Sequence, residues 1–223
     1  MRKIFFTLIA LFLLLGVEAQ TTTPQAKGTV KVQIETKFGI MKILLYDVTP
    51  LHRDNFIKLV NQGYYDSTSF HRVINTFMIQ GGDPDSKNAA PGQRLGNGGP
   101  GYTIPAELND SLIHRKGVLA AAREGDNVNP AKASSGSQFY IVQGTVYNTE
   151  ALDRMVMKTG KPLTPKQLQA YTTVGGSPWL DGNYTVFGEV IEGMDVIDKI
   201  ATVKTDNVNR PLEDIRMKIS IIK

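Results

Sequence analysis

The segment FHRVINTFMIQGGD at residues 70–83 constrains this chain most, because it sets one arginine among apolar residues and an amide. Arg72, Phe77, Met78 and Gln80 fall within nine positions, with two glycines after them. In an extended chain Met78 and Gln80 share a face. Arginine is rarely buried unless it is paired or functional. The pattern therefore indicates a functional cation beside an apolar surface, or an edge-strand arginine whose head group reaches water.

The first half of this segment predicts a strand with two different faces. Side chains alternate across a strand, which places Phe70, Arg72 and Ile74 on one side and His71 and Val73 on the other. We expect His71 to be a packed or hydrogen-bonded neighbour in the core and Val73 to be a core residue.

Two later segments supply further groups of the same kinds. GSQFYI at 136–141 places the amide of Gln138 and the ring of Tyr140 on one strand face. WLDG at 179–182 and TVFG at 185–188 supply the indole of Trp179, a turn and a further strand. Together with the first segment, these residues could form one groove with amides, a cation and an apolar floor.

With these three segments in this order, the chain closely resembles the cyclophilins, the cyclosporin-binding class of peptidyl-prolyl cis-trans isomerases. The resemblance runs from about residue 28 to residue 223 and is interrupted by one insertion. It implies a mainly β fold, an eight-stranded antiparallel closed β-barrel with a helix closing each end. From the residues alone, many short strands and few helices indicate a barrel or a sandwich.

The resemblance also implies roles for individual residues. The residues that match the family's catalytic positions are Arg72, Phe77, Gln80 and Gln138. Those that match its substrate-binding positions are Met78, Ala122, Arg123, Tyr140, Trp179, Leu180 and Tyr184. The chain departs from the best-known pattern where Tyr140 replaces phenylalanine, Tyr184 replaces histidine and Arg123-Glu124 replaces Asn-Ala. These changes leave the arginine in place, so we expect activity with an altered substrate preference.

The implied reaction is rotation about X-Pro bonds, and it needs no nucleophile, proton transfer, metal or cofactor. We therefore expect no cofactor and name proline-containing polypeptides as partners. Trp179 matches the indole that contacts cyclosporin in sensitive members, which implies cyclosporin-type inhibitors as further ligands. We expect a monomer. The rival hypothesis from another class is a non-catalytic binding module, in which the same groove holds proline-containing segments as a chaperone or scaffold.

The first nineteen residues have the pattern of a cleaved signal peptide. A basic start is followed by an apolar run over residues 4–15, and small residues stand at 17 and 19, before a cut at Gln20. The run is shorter than the roughly 20 residues of a spanning helix, which favours cleavage over a membrane anchor. Residues 20–27 read as a flexible lead-in. We expect an exported protein of the periplasm or cell envelope, or a secreted one, with no stable membrane anchor.

Composition excludes several other classes. The formal charge of +4 is scattered along 223 residues without a basic run, which argues against nucleic acid as a partner. The chain has no cysteine, so it can have neither disulfides nor a lipoprotein attachment site. Its stability must come from a packed core.

The remaining patterns locate the hairpins and helices. Residues 29–34 and 40–46 predict a first hairpin. Thr49-Pro50 predicts an N-cap and first turn of a helix with Phe56, Leu59 and Val60 on its buried face. A second helix with Val196, Ile197 and Ile200 follows Gly193, and residues 217–222 predict a final strand.

An insertion at about 144–178 departs from the compact family pattern. Leu152, Met155 and Val156 at helical spacing predict one helix over 149–158. Thr164-Pro165 predicts the start of a second, ended by glycines at 175 and 176. Both ends of the insertion lie beside the expected groove. It is therefore either a rim or lid that shapes what binds, or a surface decoration.

Some motifs point elsewhere but lack their context. Gly96, Gly98 and Gly101 spell G-x-G-x-x-G, yet no apolar strand precedes them and no helix follows, which favours a flexible loop beside the groove. Asp83 and Asp85 hint at a cation loop but miss the glycine and glutamate of an EF-hand. The histidines have no metal-ligand spacing, and no serine stands in a G-x-S-x-G elbow.

Overall fold

The computed structural model describes residues 30–222 of the protein. The predicted signal peptide (1–19) and lead-in (20–27) lie outside these residues. No helix within the described range is long and apolar enough to cross a membrane.

The strands are β1 (Lys31–Thr36), β2 (Gly39–Leu45), β3 (Arg72–Ile74), β4 (Met78–Gly81), β5 (Thr103–Ile104), β6 (Val118–Ala121), β7 (Ser134–Ser135), β8 (Phe139–Val142), β9 (Val186–Glu192) and β10 (Met217–Ile222). The α-helices are α1 (Pro50–Asn61), α2 (Thr149–Thr159), α3 (Pro165–Thr173) and α4 (Met194–Ala201).

Eight of these strands form one curled antiparallel sheet in the order β10-β1-β2-β9-β6-β8-β4-β3. The predicted hairpin of β1 and β2 is present, and its alternation buries Val32, Ile34, Met41 and Ile43 on the concave side. This face forms the main core, so the alternating pattern in the sequence fixes which side of the sheet faces inward.

The prediction of a closed barrel was wrong, because the sheet is an open half-barrel. Its two edge strands, β3 and β10, share no continuous ladder. They approach only where the chain before β3 meets the start of β10, through one bridge between Ser69 and Arg216 and hydrogen bonds such as Phe70 N–H to Ile215 O, 3.0 Å. β3 does not continue this pairing, because its Val73 N–H donates instead to Asn209 O at 2.8 Å.

Two helices cover the core as predicted. Phe56 and Leu59 of α1 and Ile197 and Ile200 of α4 are buried in the main core. The expected side-chain cap by Thr49 is absent, although Thr49 does occupy the N-cap position. The Glu107 carboxylate caps α1 in its place, accepting the N–H groups of the first turn at 3.0 Å. A negative charge at a helix N-terminus stabilises the unpaired N–H groups there.

The strands that hold the arginine are shorter than the pattern predicted. Regular extended structure begins at Arg72, and Phe70 packs in the main core with Val73 instead of sharing a face with Arg72. The irregular chain around Ser69 breaks the alternation before β3. In β4 the prediction is confirmed, because Met78 and Gln80 point to one side and Ile79 to the core.

The insertion contains two helices, close to the predicted ones. Helix α2 begins at an Asn148 cap and ends at Gly160 in the left-handed region. Helix α3 begins with a capping box between Thr164 and Gln167. Leu152 and Tyr171 are fully buried against Ile113, which gives the hairpin a small apolar cluster that it shares with the loop before β6.

Candidate active site

A cavity of about 270 Å³ opens on the outer side of β3, β4 and β8. Nine of the eleven residues predicted for the site line it: Arg72, Phe77, Met78, Gln80, Ala122, Arg123, Tyr140, Leu180 and Tyr184. The other two adjoin it, since Gln138 bonds to Gln80 and Trp179 packs on Phe77. The folded chain therefore brings together segments that lie more than a hundred residues apart in sequence.

Three side-chain amide and guanidinium groups form a row along one wall of this cavity. Arg72 stands opposite Gln80 in the β3–β4 register, and its Nη1 donates to Gln80 Oε1 at 3.0 Å. Gln80 Nε2 donates to Gln138 Oε1 at 3.1 Å. Gln138 Nε2 in turn donates to the carbonyls of Gly96 and Gly98, each at 2.8 Å. Each amide accepts from one neighbour and donates to the next, so the row fixes the position of the guanidinium.

The Arg72 guanidinium carries donors that the protein leaves unused. It is half-buried, and burial lowers the pKa of Arg72 from its ordinary value. An arginine remains protonated despite such a shift. Within residues 30–222, no carboxylate lies within 4.0 Å of it, and its one hydrogen bond is the bond to Gln80. A partly desolvated cation without an anionic partner is available to a ligand in the cavity.

The floor of the cavity is apolar. Met78, Tyr140 and Leu180 belong to a second buried cluster, separate from the main core, which includes Val118, Ala120, Val142 and Val186. Phe77 forms a side wall, and its ring centroid lies 5.6 Å from that of Trp179. The Trp179 side chain is 45% exposed, so the indole extends the apolar wall outward.

The hydroxyl of Tyr140 ends a buried chain of polar groups that begins in the insertion. It lies 3.0 Å from His114 Nε2, and His114 Nδ1 lies 3.0 Å from Asp181 Oδ1. The other carboxylate oxygen of Asp181 accepts from Tyr171 OH at 2.6 Å and from Gln167 Nε2 at 3.0 Å. Because the carboxylate can only accept, we assign the ring proton to Nδ1, and Nε2 accepts from Tyr140.

This chain of hydrogen bonds accounts for the tyrosine in place of phenylalanine. Burial raises the pKa of Tyr140 well above its ordinary value of 10, which keeps the phenol neutral and able to donate. A buried hydroxyl without a partner would be costly, and His114 supplies that partner. Helix α3 is thereby connected to the floor of the cavity.

Arg123 forms the opposite wall, but its charge is already engaged. Its guanidinium stacks 4.4 Å from the centroid of the Tyr184 ring, and its Nε donates to the Asn183 carbonyl at 2.8 Å. It also pairs with Asp126 at 2.6 Å. Arg123 and Tyr184, the two residues that depart from the family pattern, therefore stack on each other. Of the two arginines that line the cavity, Arg72 is the one whose charge remains available to a ligand.

The prediction missed three residues of the cavity, Leu95, Gly96 and Asn97. They belong to the glycine-containing loop that was expected beside the groove. Asp83 holds the loop there, accepting from Gly96 N–H at 2.5 Å and from Asp85 N–H at 2.8 Å. The carboxylate that hinted at a cation loop thus binds backbone N–H groups. Within residues 30–222 no cluster of three or more His, Asp or Glu side chains could hold a metal ion.

A second chain of polar groups has the composition of a hydrolytic triad. His52 lies 2.7 Å from Glu107 and 2.9 Å from Ser134 Oγ. Its histidine and serine are interior, since His52 is 2% and Ser134 1% exposed, and the adjoining cavity measures about 10 Å³. That volume holds no substrate, so this chain fastens α1 to β7 and does not form a catalytic site.

Comparison with known proteins agrees with this geometry. Residues 31–220 match the family model described as cyclophilin type peptidyl-prolyl cis-trans isomerase/CLD. A Staphylococcus saprophyticus protein with the provisional name peptidyl-prolyl cis-trans isomerase is 37% identical over 201 residues, covering 88% of this chain and 93% of the relative. A Staphylococcus aureus protein of the same name is 36% identical over 194 residues, covering 85% and 89%.

Solved structures show the same fold. The crystal structure of a cyclophilin type peptidyl-prolyl cis-trans isomerase from Cryptosporidium parvum has a TM-score of 0.65 and 27% identity, covering 88% of this chain and 99% of that one. A second structure of that protein, obtained in the presence of the dipeptide Ala-Pro, has a TM-score of 0.64, with 86% and 99% covered. The chain belongs to the cyclophilin-type peptidyl-prolyl cis-trans isomerase family, which confirms the resemblance and the enzyme class.

Proposed function

We propose that this protein rotates X-Pro bonds in polypeptides by donating a hydrogen bond from Arg72 to the prolyl nitrogen, and that it assists folding of exported proteins in the cell envelope. The observation that carries the mechanism is the row Arg72–Gln80–Gln138, which holds an unpaired guanidinium beside an apolar floor. The envelope role is supported by the leader-like residues 1–19.

The reaction requires stabilisation of a twisted amide and nothing covalent. Amide resonance sets a rotation barrier of about 18–20 kcal/mol. The cis and trans forms of an X-Pro bond differ by only about 0.5–1 kcal/mol, so the uncatalysed exchange is slow but nearly balanced. Twisting the bond localises the nitrogen lone pair, and the nitrogen becomes a hydrogen-bond acceptor only near the transition state.

Arg72 meets the requirement for selective stabilisation of that state. A donor aimed at the prolyl nitrogen binds the twisted amide more strongly than either planar ground state, which is the condition for acceleration. Because Gln80 holds one nitrogen of the guanidinium, the remaining donors keep a fixed direction. Lysine would supply a single mobile charge without this fixed geometry.

The apolar floor grips the proline ring while the rest of the amide turns. Met78, Tyr140 and Leu180 offer a surface on which the ring is buried at about 25 cal/mol per Å². Ala122 lines the cavity, but its backbone is engaged, with N–H donating to Gln138 O and C=O accepting from Ser135 N–H. In the family pattern, the backbone of the pair that Arg123-Glu124 replaces contacts the substrate, and we assign this contact here to Arg123.

A protease-coupled isomerisation assay on an Ala-Pro tetrapeptide tests this function against the binding-module alternative. The isomerase predicts turnover at catalytic protein concentration. Binding of proline peptides without turnover, in a folded protein, would make it a recognition module.

The envelope role is tested separately by sequencing the N-terminus of the protein recovered from fractionated cells. An intact leader on protein retained in the cytoplasm would contradict it.

A further inference from the structure

The helical insertion builds a second cavity beside the proline pocket. It measures about 490 Å³ and lies between the α2–α3 connection and the turn at 178–183. Leu112, Met155, Leu163 and Trp179 supply its apolar lining, with Asp110 and Lys161 among its polar groups. A cavity of this size accommodates a large side chain together with part of a backbone. Its mixed lining suits a peptide segment better than a purely apolar ligand.

The second cavity adjoins the candidate active site. Trp179 lines it, and the same indole packs 5.6 Å from the Phe77 ring of the proline pocket. The turn that bears Trp179 is the shared wall, since Leu180 lines the proline pocket and Asp181 lines the second cavity. The Trp179 ring lies 5.6 Å from Phe77 and lines the second cavity, and an extended chain advances about 3.3 Å per residue. We therefore infer a spacing of two to four residues from a proline bound next to Phe77.

The two cavities are held at a fixed distance from each other. Asp181 of the shared wall accepts from Tyr171 of α3 and, through His114, is connected to the floor residue Tyr140. At the base of the insertion, Gly176 N–H donates to Thr145 O at 2.9 Å. Fixed spacing lowers the cost of binding one chain at both places.

We propose that the second cavity is a subsite of the same groove, and that it takes an apolar side chain two to four residues from the substrate proline. The proposal rests on the proposed function for the place of the proline. It assigns the insertion a role in choosing substrates: polypeptides with a leucine-like residue at one set distance from proline are preferred over short proline peptides. Because only the turn bearing Trp179 separates the two cavities, the substrate chain that fills the proline pocket is the occupant that can reach both.

Binding of a peptide set by calorimetry tests the subsite. The parent is an Ala-Pro peptide flanked by four alanine or serine residues on each side, and each further peptide carries one leucine at position two, three or four before or after the proline. We expect one position to bind about tenfold tighter than the parent, the scale of burying one leucine side chain. If no position gains more than twofold, the proposal is overturned.

Matched variants test which side chains produce the gain in peptide affinity. Met155→Ala and Leu163→Ala should reduce the ratio of parent to leucine-peptide Kd to near one. Met157→Ala and Leu168→Ala should preserve it, because these side chains are exposed on α2 and α3 of the same insertion and lie outside the cavity lining. Equal ratios in all four variants would overturn the assignment. Turnover of the parent peptide is measured in parallel: loss of turnover with a retained leucine gain rejects the isomerase mechanism and not the subsite.

Discussion

Arg72 and Gln80 face each other across the β3–β4 hairpin, and the guanidinium donates to the amide oxygen at 3.0 Å. Because Gln80 also donates to Gln138, its side-chain amide cannot rotate by 180° without losing both hydrogen bonds. The glutamine thus gives Arg72 a fixed direction without neutralising its charge.

Replacing this amide by a carboxylate should inhibit the enzyme. Gln80→Glu would pair with Arg72 and compete with the substrate nitrogen for its donors, since charge-assisted hydrogen bonds are the stronger ones. We expect kcat/KM on the tetrapeptide to fall roughly tenfold or more, the scale of about 1.5–3 kcal/mol for a hydrogen bond to a charged group. Gln80→Ala is the comparison, because it removes the orienting bond without adding charge. Wild-type turnover in Gln80→Glu would show that the direction of Arg72 is unimportant.

The buried polar chain should couple helix α3 to the floor of the pocket. Tyr171→Phe and Tyr140→Phe each remove one hydroxyl from the chain, and we expect their effects on unfolding free energy to deviate from additivity by at least about 0.5 kcal/mol. Urea unfolding of the two single variants and the double variant measures the coupling. The pair Tyr147→Phe and Tyr140→Phe is the control, because the Tyr147 hydroxyl makes no hydrogen bond within residues 30–222. Equal coupling in both pairs would contradict the connection.

Acid should weaken the fold through His71. Burial lowers the pKa of His71 from 6.5 to about 4, against the opposing effect of Asp83. The unfolded chain therefore binds the proton more readily than the folded one, so stability is fully present above pH 6.5 and is lost as the pH falls toward 4. The loss is on the order of 3 kcal/mol.

Urea unfolding between pH 7 and pH 4 measures this loss. His71→Gln should reduce the dependence of the unfolding free energy on pH. Burial also lowers the pKa of His52, so the difference between wild type and His71→Gln isolates the contribution of His71. An NMR titration that places the folded-state pKa of His71 at 6.5 or above would refute the prediction.

The base of the insertion should tolerate no side chain at Gly176. A Cβ there would lie 2.3 Å from the His114 carbonyl oxygen and 2.8 Å from Arg115 Cα, at a φ of +155°. We expect Gly176→Ala to lower the unfolding free energy by about 3 kcal/mol or more. Gly160→Ala is the matched control: it is also at positive φ but has no atom within 4 Å, so the cost should be about 1–2 kcal/mol. Equal costs would mean that the close approach is not rigid.

Local patterns in the sequence predicted the helices well. The stripe Val196, Ile197 and Ile200 and the buried face of α1 follow from helical spacing, and both are buried in the structure. The insertion helices were located within one or two residues, α2 by the spacing of its apolar residues and α3 by Thr164-Pro165, because both signals depend on neighbouring residues only.

What the sequence left undetermined depends on contacts between distant segments. The cap on α1 comes from Glu107, and the partner of Tyr140 is His114, neither of which local spacing indicates. The open edge between β3 and β10 depends on the irregular chain at Ser69, where a strand pattern predicts continued alternation. Most of the candidate site was predicted through the family resemblance, whereas the glycine loop residues Leu95 and Asn97 carry no signal of their own.

Kinetics of Arg72→Ala beside Val73→Ala test the central claim most directly, because these neighbours point to opposite sides of β3. Val73 is 2% exposed in the main core, so its truncation should lower stability and leave kcat/KM near wild type. Arg72→Ala should keep the fold and lower kcat/KM by about 10²-fold or more, the scale of losing one transition-state donor. Undiminished turnover in a folded Arg72→Ala protein would contradict the assignment of Arg72 as the donor to the prolyl nitrogen.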